Sequence, residues 1–165
     1  MDQEKTIKVV LLGAAGVGKS SIIRRYISDD FESHEQPTLG ASFHSKVVKS
    51  RDKSYKFQMW DTAGQEKYAP LAVMYYRDAQ VVLLVYDASN KDTFEILKVW
   101  YEEIKEKGQS NVVIVVIGNK TDLLTEDELD FEKEKEYAES IGAVFRTTSA
   151  KQNSGIKEVF EKIIE

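Results

Sequence analysis

The chain has 165 residues, one domain's worth, with a formal net charge of −5 and a pI near 5.2, so no whole-molecule field draws in nucleic acid or an acidic membrane, and any anion has to be held by a local device. It contains no cysteine, which excludes disulfides, thiolate metal sites and a cysteine nucleophile. No N-terminal stretch has the basic-then-apolar pattern of a signal peptide, and the longest apolar runs, VVLLVY (81–86) and VVIVVI (112–117), fall far short of the roughly 18 residues a membrane span needs.

TIKVVLLG (6–13) is apolar and β-branched and reads as a buried strand; KSSIIRRYIS (19–28) reads as a helix. Between them GAAGVGKS (13–20) fits G-x-x-x-x-G-K-[ST], in which glycines let successive backbone N–H groups turn inward around phosphate oxygens. The strand-loop-helix context suits that reading, because a helix N-terminus adds unpaired N–H groups and the positive end of its dipole. DDFESHEQPTLGAS (29–42) has no period and holds Pro37 and Gly40, so it is expected to be a long functional loop. FHSKVVK (43–49) and YKFQMWD (55–61) flank RDKS as a hairpin. A loop over 62–70, a short helix, a strand over 81–87 and a helix over 92–107 follow. Next come a strand over 112–117, a helix near 131–141, the strand VFRTT (144–148) and a last helix from Gly155. This alternation predicts a six-stranded, mostly parallel α/β sheet with helices on both faces.

In such sheets ligands sit beyond the carboxyl ends of the strands, and there the sequence places DTAGQE (61–66), GNKTD (118–122) and SAK (149–151). Together with GAAGVGKS, in this order and over nearly the whole chain, they resemble the Ras-like small GTPases with their phosphate-loop NTPase fold. The resemblance implies one G domain over 1–165 that binds GTP or GDP with Mg2+ and slowly hydrolyses GTP. Lys19 would meet the β- and γ-phosphates, alongside the backbone of Ala15, Gly16, Val17, Gly18 and Ser21. Ser20, Thr38 and Asp61 would serve the metal, Gly64 the γ-phosphate, and Gln65 the attacking water, so that Gln65 and Lys19 carry catalysis. Asn119, Lys120, Asp122 and Leu123, with Ser149, Ala150 and Lys151, would form the base site. There a carboxylate at Asp122 accepts from guanine N1–H and the C2 amino group, which adenine does not offer. Phe31 is read either as a platform for the base or as a packing residue.

TLGASF (38–43), WDTAGQEKY (60–68) and MYYRDAQ (74–80) further resemble Rab GTPases, particularly the early-endosomal branch. That likeness implies a role in vesicle trafficking and protein transport. It also implies effectors that contact Phe43, Trp60 and Tyr75, a GTPase-activating protein, an exchange factor and the chaperone of prenylated chains. The alternative for the three aromatics is ordinary packing. Ala15 stands where relatives often have glycine, so hydrolysis is expected to be altered. The chain closes on KIIE without a cysteine. As written it is therefore expected to stay cytoplasmic, and only a longer form with a prenylated tail would reach the cytosolic face of endosomal membranes. His34 and His44 lack metal-ligand spacing, the charge runs 102–107 and 130–139 read as exposed helix faces, and Trp100 reads as core. The residues leave other classes open: a guanine-nucleotide-binding module with little or no hydrolysis, an ATP-using kinase, or a structural protein with a relic loop.

Overall fold

The computed structural model describes residues 4–28, 41–62 and 69–164. In chain order they form β1 (Glu4–Leu12), α1 (Lys19–Ser28), β2 (Ala41–Ser50), β3 (Lys53–Thr62), α2 (Ala69–Tyr76), β4 (Val81–Asp87), α3 (Lys91–Lys107), β5 (Val113–Asn119), α4 (Glu132–Ser140), β6 (Val144–Thr147) and α5 (Ile156–Ile164). The six strands make one sheet in the order β2-β3-β1-β4-β5-β6. β2 pairs antiparallel with β3, and every other neighbouring pair is parallel. The mostly parallel sheet expected from the alternation is therefore present. Helices lie between the parallel strands in the chain, as the crossovers that parallel pairing needs.

The continuous apolar runs are explained by burial on both faces. Alternate residues of each strand point to opposite sides. Val9, Leu11, Leu83, Val85, Val115 and Ile117 meet Ile22 and Ile23 of α1 and Val159 and Phe160 of α5. Their neighbours Val10, Leu12, Val82, Leu84, Tyr86 and Val116 meet Phe94, Leu97, Trp100 and Ile104 of α3. Trp100 is core, as expected. On the first face Tyr26 stacks on Phe160 with centroids 3.8 Å apart, and Phe57 meets Phe160 edge-on at 5.4 Å, so α1, β3 and α5 interlock.

The hairpin turn is tighter than the sequence suggested. Ser50 pairs with Lys53, and only Arg51 and Asp52 lie between them, at φ +51° and +66°. Two consecutive positive φ angles mark a primed two-residue turn, whose twist matches that of the strands. At its other end β2 already begins at Ala41.

The charged residues of the run at 130–139 are exposed as expected, except Glu134. Glu134 is 5% exposed on the inner face of α4 and accepts from Lys91 Nζ at 2.8 Å, across to the start of α3. The run at 102–107 behaves as expected, with Lys107 and Glu103 paired at 2.9 Å along one face. A sequence shows that charges recur at helical spacing but not that one of them meets a distant lysine. Lys91→Ala should lower stability by about 1–2 kcal/mol. It leaves a carboxylate buried, but the lysine it removes is largely exposed. Urea unfolding of K91A and of K91A/E134L tests this, with the double variant expected to regain most of the loss.

Candidate functional site

β1 delivers the chain to Gly13, whose φ of +154° and close approach to β4 leave no room for a side chain, since a Cβ there would overlap the Val85 carbonyl. Gly18, at φ +101°, lies equally close to the Asn119 side-chain amide. Ile22 N–H donates to the Gly18 carbonyl at 2.9 Å and opens α1. The α1 dipole therefore ends on the glycine loop, an arrangement suited to an anion. Inside it Lys19 is buried, its Nζ donating to the carbonyls of Gly13 and Ala14 at 3.2 and 3.0 Å. Burial pushes the ammonium pKa down to about 8, opposed by the nearby Asp61 carboxylate. Ala15 and Gly16 are exposed on the outside of the loop, Val17 is buried, and Ser21 follows in the first turn of α1.

Ser20 Oγ donates to Asp61 Oδ2, joining the start of α1 to the end of β3. Asp61 is buried, and beside it Thr62 Oγ1 donates to the Leu11 carbonyl at 2.7 Å, which fixes that strand end. A hydroxyl and a carboxylate in contact are hard oxygen donors that fit Mg2+, an ion that usually keeps waters and phosphate oxygens as its remaining ligands. Among the described residues no group of three or more His, Cys, Asp or Glu could hold a metal. These two donors would therefore need outside oxygens to complete a coordination shell.

The other half of the site follows β5 and β6. Asn119 is buried; its Nδ2 donates to the Val17 carbonyl at 3.0 Å and its Oδ1 accepts from Thr148 Oγ1 at 2.8 Å. Lys120, in the left-handed region at φ +65°, reaches back to the Gly16 carbonyl at 2.6 Å and lies 3.5 Å from Asp87. A short 3-10 turn, Thr121–Leu123, carries Asp122, which accepts from the buried Ser149 hydroxyl at 2.6 Å. Leu123 projects into solvent. Ala150 is buried next to Ser149, and Lys151 is exposed. The structure thus gathers Lys19, Ser20, Asp61, Asn119, Lys120, Asp122, Ser149 and Ala150 at the carboxyl edge of the sheet.

On the outer side of β3, Trp60 lies between Phe43 and Tyr75, with ring centroids 4.8 and 5.2 Å apart. Phe43 faces Trp60 across the β2-β3 ladder and is 47% exposed, while Trp60 and Tyr75 are half-buried. Packing and exposure therefore coexist in one contiguous cluster.

The family model described as Ras family matches residues 8–165. The chain belongs to the Ras family. It is 47% identical over 159 residues to the Ras-related protein Rab-31 of Mus musculus, an alignment covering 96% of this chain and 82% of that one. It is 45% identical to the Ras-related protein Rab-22A of Homo sapiens with the same coverage. It is also 42% identical over 156 residues to the Ras-related protein Rab-5A of Dictyostelium discoideum, covering 94% and 78%. As a Ras-family protein of Rab type, it is a switch that binds GTP and GDP and hydrolyses GTP to GDP and phosphate. Effectors, GTPase-activating proteins and exchange factors are the general partners of such a switch.

Four of the sequence-derived site residues, Phe31, Thr38, Gly64 and Gln65, lie outside the described residues, as does His34. His44 is half-buried on β2 and has a partner. Several residues that tie this Ras-family site together were not singled out from sequence: Thr62, Asp87, Thr148 and Arg25. Thr62 and Thr148 carried a signal, since each sits beside a motif at a strand end; Arg25 carried none. Asn119→Ala should lower stability by about 2–3 kcal/mol, because it strips partners from two buried groups at once. It should also speed the release of all guanine nucleotides alike, to be read by chemical denaturation and by release of fluorescent GDP and GTP analogues.

Proposed function

We propose that the chain acts as one G domain in which Ser20, Thr38 and Asp61 serve Mg2+, Lys19 meets the β- and γ-phosphates, and Asp122 selects guanine. The observation that carries this reading is the mutual bracing of the loops. Gly16 and Val17 are bonded to Lys120 and Asn119, Asn119 to Thr148, and Asp122 to Ser149. A ligand with a polyphosphate at one end and a guanine at the other spans those supports.

In this reading the N–H groups over residues 15–21 and the Lys19 ammonium bind the phosphates. Their positive charge lies where negative charge gathers as the bond to the γ-phosphorus breaks. Mg2+, when bound, neutralises phosphate oxygens. Gln65 orients the attacking water, and Gly64 N–H contacts the γ-phosphate. Water adds to the γ-phosphorus, the bond to the β-phosphate oxygen breaks, and GDP and inorganic phosphate leave. Lys120 lies along the base, Ala150 N–H meets guanine O6, and Ser149 holds Asp122 in place. Phe31, Leu123 and Lys151 complete the walls. Ala15 and Gly16, exposed at the loop, are where an activating protein would place an arginine.

Phe43, Trp60 and Tyr75 form the effector surface, and the Rab relatives support a role in vesicle traffic on endosomal membranes. No helix among the described residues is long and apolar enough to cross a membrane. The family assignment does not favour the alternative of a binding module without hydrolysis.

Two substitutions separate the parts of this reading. Asp122→Asn exchanges an acceptor for a donor that can face the C2 carbonyl of xanthine, so preference should move from GTP toward XTP on the same folded variant, by about 100-fold or more. Full GTP affinity with no gain for XTP would remove Asp122 as the base reader. Gln65→Leu should leave GTP affinity within about twofold and slow single-turnover hydrolysis at least about tenfold, since only the water-orienting amide is lost.

A further inference from the structure

Asp87 closes β4 and lies opposite Asn119 in the parallel ladder with β5. The two oxygens of its carboxylate have different partners. Oδ1 accepts from the Ser89 N–H at 2.9 Å and from the Ser89 hydroxyl at 2.6 Å, so the side chain is locked over its own turn. Oδ2 faces the Lys120 ammonium at 3.5 Å. One residue holds the carboxylate and another receives its charge. The Asp87 side chain is only 13% exposed, against 34% for Lys120, so the pair is screened less than one at the open surface.

The same strand end holds Lys120 at its other end. Ala88 N–H donates to the Asn119 carbonyl at 2.8 Å, which fixes the peptide plane from which Lys120 starts. From there the left-handed backbone at φ +65° sends the side chain back to the glycine loop, where Nζ donates to the Gly16 carbonyl at 2.6 Å. A lysine stem is flexible, and its ammonium is a point charge with rotatable donors. A single carbonyl therefore leaves the ammonium free to pivot and the stem free to change rotamer. A charged acceptor on a different strand removes that freedom.

We propose that Asp87 is a positioning residue for Lys120: it shares the ammonium with Gly16 and so keeps the apolar stem along the purine. This rests on the reading that Lys120 lies along the base. Asp87 touches no nucleotide atom in this role; it acts through the Lys120 ammonium.

A role confined to the turn between β4 and α3 would not depend on Lys120, whereas this one does, and a double-mutant cycle separates the two. Asp87→Asn keeps an oxygen for Ser89 and removes the charge that faces Lys120. Lys120→Met keeps an unbranched stem and removes the ammonium, and Lys120→Ala removes both. Release of labelled GDP is measured on wild type, D87N, K120M, D87N/K120M and K120A, with circular dichroism melts on each.

D87N should speed GDP release by about threefold to fivefold when Lys120 is present, and by less than about 1.5-fold in the K120M background. K120A should release GDP at least about tenfold faster than wild type. If D87N does not fold, S89A supplies the same comparison at smaller amplitude, since it removes one of the two donors that aim the carboxylate. Release from D87N at or below the wild-type rate, or an equal acceleration in both backgrounds, overturns the role of Asp87 and leaves Lys120 at the base. Wild-type release from K120A overturns the base reading of Lys120 and the positioning role with it.

Discussion

At the carboxyl end of β5 the Asn119 amide is held on both sides, giving a hydrogen to Val17 in the glycine loop and receiving one from Thr148 after β6. Both bonds are buried, so breaking either leaves a polar group without water to replace its partner. Three loops that follow three different strands therefore keep fixed relative positions. Gly18 has to be glycine partly for this reason, since a side chain there would occupy the place of the Asn119 amide. The rest of the site is arranged around that knot. Lys120, next in sequence, turns in the left-handed region and returns to Gly16, and the 3-10 turn that follows presents Asp122 to Ser149.

A protein of net charge −5 that binds a polyanion has to overcome repulsion locally. The proposed site offers dipoles and the enclosed Lys19 cation for this. The Lys19 ammonium lies among backbone carbonyls with its pKa lowered to about 8 by burial. Those carbonyls carry only partial charge, so the ammonium is less well neutralised than it would be by phosphate. Low dielectric strengthens the attraction to an incoming anion as much as it weakens the cation alone. Asp61, buried close by and bonded to the Ser20 hydroxyl, opposes the loss of charge on Lys19.

The sheet and the strand-end motifs were legible because they depend on local pattern. Short β-branched runs bounded by turn signals read as strands buried on both faces, and GAAGVGKS between strand and helix has few other uses. What escaped was contact across distance. Nothing near Arg25 in sequence points to Ala150, because the two meet only once α1 and α5 pack on one face of the sheet. Glu134 lies in a run whose spacing predicts solvent, yet it is covered because Lys91 stands opposite at the start of α3. Among the charged residues of α4, position on the helix rather than residue type decides which is enclosed. The primed turn at Arg51 and Asp52 lacked the glycine or asparagine that usually announces one, so the hairpin was visible and its tight geometry was not.

The end of β3 joins the proposed nucleotide site to the aromatic cluster proposed as the partner surface. Trp60 and Asp61 are adjacent, and neighbouring side chains on a strand point to opposite faces. Asp61 reaches Ser20 on α1, whereas Trp60 packs between Phe43 and Tyr75. Thr62 anchors the same strand end to the Leu11 carbonyl of β1, so Trp60 and Asp61 sit on a braced stretch of backbone. A ligand moves a conformational equilibrium only by binding two arrangements unequally. In the proposed reading Ser20 and Asp61 would serve the Mg2+ that accompanies the nucleotide, so that ion would act on the contact between them. The aromatic cluster of Phe43, Trp60 and Tyr75, proposed as the effector surface, begins one residue away from that contact.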